Sequence, residues 1–142
     1  MHAQTLTHPS RLQKAIGLLE LMLSLAVISV LLVIGIRYYQ SVKYQQQLTI
    51  TATLVKDIIS ASSSWGAAYP DYQKLSLQTL IDVNLIPTTY TKNPWGGDVD
   101  VRQADGDPHH IKIILADIPE DRRNQICSTL SAQFSDYTIV CP

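Results

Sequence analysis

The apolar positions along the chain fall into three regimes. From Ile16 to Ile36 they are almost continuous: of 21 residues only Glu20, Ser24 and Ser29 are polar. At about 1.5 Å rise per residue, a helix of that length covers roughly 31 Å, one hydrocarbon core. Over residues 37–64 the pattern becomes amphipathic. Leu48, Ala52, Val55 and Ile59 recur at spacings of four, three and four, and Leu54, Ile58, Ala61 and Trp65 widen that face. With no proline between Arg37 and Pro70, residues 16–64 read as one helix of roughly 73 Å. Ser60, Ser62, Ser63, Ser64 and Gly66 are weak helix formers and are expected to end it.

From residue 65 the periods shorten. Ser76 is placed to cap a short helix through about Val83, with Leu77, Leu80 and Ile81 inward, Asn84 as its C-terminal cap and Pro87 barring continuation. Asn93, Pro94, Trp95, Gly96 and Gly97 form a turn cluster ahead of the alternation Val99, Asp100, Val101. Residues 104–108 read as a hairpin loop and 110–115 as the returning strand. A helix is expected over 120–133, with Ile126, Cys127, Leu130 and Phe134 on one side, and a last strand over 137–141. An antiparallel sheet with short helices, packed on a long N-terminal helix, is an α+β fold. The chain thus divides into residues 1–15, an apolar half-helix 16–36, an amphipathic half 37–64 and a globular head 65–142.

Charge sharpens the division. The formal net charge is −1, but residues 1–19 hold Arg11 and Lys14 and no acid, whereas residues 65–142 hold ten acids against six lysines and arginines. So acidic a head argues against a nucleic-acid partner. The basic leader favours a cytoplasmic N-terminus, an asymmetry that Arg37 and Lys43 reduce. A secretory signal explains the apolar run poorly: the run exceeds the usual length, and no small-x-small cleavage motif follows it. Glu20 stands out, because an acid in hydrocarbon is costly and marks a functional position.

Two cysteines, Cys127 and Cys141, lie near the C-terminus. In an exported chain such a pair reads as a disulfide, with reactive thiols as the alternative. About a hundred residues outside leader and span bury only a modest core, which such a staple would help.

A short basic leader followed by an apolar run, with a glutamate five positions after a small residue, resembles a type IV prepilin. The head extends the likeness. A Leu-rich helix ending at Leu85, Ile86 and Pro87, the Asn93-to-Gly97 cluster, and a late-helix cysteine with another on the final strand are most similar to the type IVb group. The resemblance implies cleavage between Ala15 and Ile16 by a prepilin peptidase, N-methylation of Ile16, and an assembly role for Glu20. A cut after Gly17 is the rival register and brings Glu20 closer to the new terminus. Ala15 departs from the glycine usual in the family, and Ile16 from the usual phenylalanine or methionine.

The resemblance also implies a helical homopolymer as partner, with the inner-membrane pilus assembly machinery, and a route from the inner membrane to an extracellular pilus. Alternatives are a pseudopilin of a type II secretion machine and a non-polymerising, single-pass anchored periplasmic binding domain. No phosphate loop, nucleophile elbow or zinc-protease motif occurs, so an enzyme is not expected, and no cofactor is implied. Asp105, Asp107, His109 and His110 cluster as loop residues do, without metal-ligand spacing, and no metal is assigned to them.

Overall fold

The computed structural model describes the backbone from residue 11 and the side chains from residue 16, both through Pro142. The leader assigned to 1–15 therefore lies outside the described residues as far as position 10, and outside the described side chains as far as position 15. The chain separates into two compact units, one through Lys43 and one from Tyr44 to Pro142. Helix α1 (Arg11–Ala68) contributes to both. It is followed by α2 (Leu77–Asp82), a 3-10 turn (Thr88–Thr91), β1 (Val99–Ala104), β2 (Asp107–Leu115), α3 (Glu120–Gln133) and β3 (Thr138–Val140). The class is α+β, with a long N-terminal helix and a small three-stranded sheet in the order β1-β2-β3.

In the unit from Tyr44 onward, α1 buries Thr51, Leu54, Val55, Ile58, Ala61, Ser62 and Trp65. The axis of the buried face therefore runs through 51, 55, 58, 62 and 65, and Leu48, Ala52 and Ile59 flank it half-buried. The eight apolar residues expected on this face all lie in or against the core, and Thr51 and Ser62 join them on its axis. The Thr51 hydroxyl donates to the Gln47 carbonyl at 2.9 Å, so that a polar side chain enters the core already satisfied.

The helix also outruns its expected end at Ser64. The hydroxyls of Ser63 and Ser64 bond back to the carbonyls of Ile59 and Ser60, and burial of Trp65 holds the next turn. Pro70 then bars continuation.

Opposite α1 the sheet contributes Val99, Val101, Ile111, Ile113 and Leu115, and α3 contributes Ile126 and Leu130. Each such fully buried aliphatic side chain is worth about 1.5–3 kcal/mol relative to exposure. The β1–β2 hairpin is antiparallel, Val101 facing Ile113, and turns through Asp105 and Gly106, whose φ of 83° suits glycine. The second strand begins at Asp107, three residues before the expected start.

β2 and β3 pair in parallel, Ile113 beside Ile139. The sheet is mixed, where an antiparallel one was expected. The reason is the helix between these strands: a strand–helix–strand crossover returns the chain in the same direction, whereas a hairpin reverses it.

Caps follow the residue types. The Ser76 hydroxyl accepts from the Thr79 amide at 3.1 Å and starts α2. Asn84 ends it with φ 57°; its amide reaches the Ile81 carbonyl and the Leu85 amide reaches that of Leu80, a Schellman closure.

Candidate functional site: the apolar helix and its acid

Residues 16–36 are helical throughout, and every one of their side chains is exposed. The helix is long and apolar enough to cross a membrane, with a mean hydropathy of 2.6 over its best window. Two of its three polar side chains are satisfied within the helix. The Ser24 hydroxyl donates to the Glu20 carbonyl at 2.8 Å, and the Ser29 hydroxyl donates to the Leu25 carbonyl at 2.7 Å. Back-bonding of this kind removes the cost of a hydroxyl in lipid. The Glu20 carboxylate differs: among the described residues no cation pairs with it. It is the one carboxylate on this surface, four residues and so about one turn beyond Ile16, itself 61% exposed. The bond between Ala15 and Ile16 lies in helical backbone, since α1 begins at Arg11; the side chain of Ala15 is outside those described.

The second expected pair is brought together. Cys127, on α3, is disulfide-bonded to Cys141, just past β3, with Cα atoms 6.4 Å apart and a sequence separation of 14. Both residues are half-buried, so the bond ties α3 to the end of the sheet.

The loop acids are already committed to neighbours. Asp107 accepts from the His109 amide at 2.9 Å and engages His110 Nδ1 at 2.6 Å, while Asp105 pairs with Lys112. Lys112 foremost holds the Asp105 carboxyl below its ordinary range, and the His109 amide foremost does so for Asp107. Among the described residues no three His, Cys, Asp or Glu side chains converge as metal ligands.

Sequence reasoning missed the part played by Asn93. It is 4% exposed inside a loop, its Oδ1 accepts from the amides of Trp95 and Gly97, and its Nδ2 donates to the Ala116 carbonyl at 2.7 Å. A Cβ on Gly97 would run into that same Ala116 carbonyl, so the close approach of the two segments requires glycine. The available signal was an asparagine three residues ahead of a glycine pair, a spacing suited to a side chain that folds back on its own turn.

No family model matches the chain, and no curated protein and no solved structure matches it.

Proposed function

We propose that the chain is a pilin-like filament subunit, most like the type IVb group, and not an enzyme. A prepilin peptidase cuts between Ala15 and Ile16, the new terminus is methylated, and subunits pass from the inner membrane into an extracellular pilus. The polymer is built by the assembly machinery through the apolar half of α1. One observation carries this reading: a helical surface exposed over residues 16–36, whose other polar groups are satisfied internally, presents a single acid one turn beyond Ile16.

The proposed mechanism follows from solvation. Cleavage creates an ammonium at Ile16 in a low-dielectric setting that already holds a carboxylate. Leaving either group unpaired there costs several kcal/mol, and pairing across two subunits removes both penalties in one register. The disulfide-stapled head is the part exposed once the apolar helices pack together.

N-terminal sequencing of the native protein, together with its intact mass, tests the proposal. The expected result is a methylated Ile16 terminus, with the protein recovered in sheared surface filaments. Residues 1–15 still attached would overturn it and favour the anchored, non-polymerising domain, a reading to which Ala15 in place of the family's glycine lends weight. A processed protein absent from sheared filaments would point to a pseudopilin.

A further inference from the structure

The stretch of α1 that follows the apolar run has a composition of its own. Arg37, Tyr38, Tyr39 and Lys43 are all exposed, the two tyrosines at 72% and 67%. No acid occurs between Glu20 and Asp57, and among the described residues no carboxylate pairs with Arg37 or Lys43. With the N-terminus cytoplasmic, as the leader favours, these two cations stand on the far side of the span, against the usual asymmetry.

An exposed cation is content in water, so the arrangement of the four side chains is what identifies a partner. Successive helical residues lie about 100° apart, which sets Tyr38, Tyr39 and Lys43 at about 100°, 200° and 240° from Arg37. The four therefore ring the helix, with no gap wider than about 120°. A docked protein meets one face of a helix, as the head does along the stripe from Thr51 to Trp65. A ring suits a medium that surrounds the helix. It is also thin: Arg37 and Lys43 are separated by about 9 Å along the axis, comparable to the depth of a headgroup layer. Helical side chains lean toward the N-terminus, which brings the Lys43 ammonium back toward the end of the apolar run.

A headgroup layer matches each side chain. A tyrosine there keeps its ring against acyl chains and its hydroxyl among polar groups, while guanidinium and ammonium meet phosphate. We propose that residues 37–43 form a collar that binds anionic phospholipid headgroups of the leaflet on the head's side of the membrane. The head, with ten acids against six lysines and arginines, is repelled by such a surface, so attraction falls to the collar. The inference rests on the membrane part of the function proposed above and not on polymerisation. It holds equally for an anchored domain that never assembles.

The test uses the full chain in phosphatidylcholine vesicles containing phosphatidylglycerol, with spin-labelled forms of both lipids reporting which one occupies the boundary layer. The wild type should prefer phosphatidylglycerol by about fivefold at low salt and lose that preference near 1 M salt, on the order of the known screening. Arg37→Gln/Lys43→Gln should remove most of the preference, whereas Arg11→Gln/Lys14→Gln, on the other side, should leave most of it. A nitroxide on Gln40→Cys, a unique thiol because Cys127 and Cys141 are bonded to each other, should report headgroup depth. Tyr38→Ala/Tyr39→Ala should move it out into water. A chain that fails to float with the vesicles would overturn the membrane reading and this inference together. Insertion with an unchanged lipid preference in Arg37→Gln/Lys43→Gln, or a water-exposed nitroxide beside the wild-type tyrosines, would overturn this inference alone. So would a loss of self-association in that double variant without loss of lipid preference, which would assign the cations to the acidic head of a second copy.

Discussion

The Tyr90 hydroxyl donates to Asp57 Oδ2 at 2.5 Å, joining the 3-10 turn to the C-terminal part of α1 across 33 residues of sequence. Hydrogen bonding to Asp57 raises the Tyr90 pKa above its ordinary value, with burial and the Asp57 charge adding in the same direction. A raised folded-state value means a contribution that is complete below the unfolded phenol value of about 10 and is lost as pH rises through the folded one. Tyr90→Phe should therefore cost about 1 kcal/mol near neutral pH. Above about pH 10 the difference from wild type should close, because the phenolate would repel Asp57. Paired urea titrations across this range measure it, and a pH-independent difference would refute the linkage.

Asn93→Ala should be more damaging than any exposed loop substitution. It removes three side-chain hydrogen bonds and leaves the amides of Trp95 and Gly97 and the Ala116 carbonyl without those partners. Orphaned buried groups cost about 1–3 kcal/mol each, with partial rescue by water, so a total of about 3 kcal/mol is expected. Asn93→Asp keeps the oxygen that accepts from the Trp95 and Gly97 amides but sets a second carboxylate oxygen against the Ala116 carbonyl in a buried site, and should cost at least as much as Asn93→Ala in chemical denaturation at neutral pH.

How much of this was legible depends on the range of each interaction. The apolar run, the Ser76 cap, the extent of α3 and the hairpin are local, and local patterning predicts them. The apolar members of the α1 face were legible, and all of them pack in or against the core, but Thr51 and Ser62 were not, because they are polar by type and only tertiary packing buries them. The parallel β2–β3 pairing was readable from the helix between the strands, a signal outweighed by the expectation of an antiparallel head. The Asp57–Tyr90 and Asn93–Ala116 ties join residues 33 and 23 positions apart, and no periodicity encodes them. Glu20 was legible for the opposite reason: an acid in an apolar run is conspicuous without any tertiary contact.

Opening the bond between Cys127 and Cys141 should loosen α3 and β3 first. The bond closes a 14-residue separation, which corresponds to about 3 kcal/mol of denatured-state entropy. Cys127→Ala/Cys141→Ala should lose that amount in denaturant. Its hydrogen-exchange protection should fall most at Ile126, Leu130 and Ile139, and least over α1. Uniform loss across the head would mean that the bond supports global rather than local stability.

Glu20→Gln separates charge from shape at the acid. The amide matches the carboxylate in size and still accepts hydrogen bonds, but it cannot neutralise an ammonium. If the acid serves to pair with a neighbour's terminal amine, Glu20→Gln should insert and be processed normally yet fail to appear in sheared filaments. Glu20→Asp should retain some assembly. Ser24→Ala is the control for disturbance of the helix: its hydroxyl bonds only to the Glu20 carbonyl, so its loss should leave filament yield near wild type. Wild-type yield from Glu20→Gln would show that no ion pair is needed at this position, and the apolar surface alone would then have to drive assembly. Loss of yield in both Glu20→Gln and Ser24→Ala would instead identify helix integrity, not charge, as what position 20 contributes.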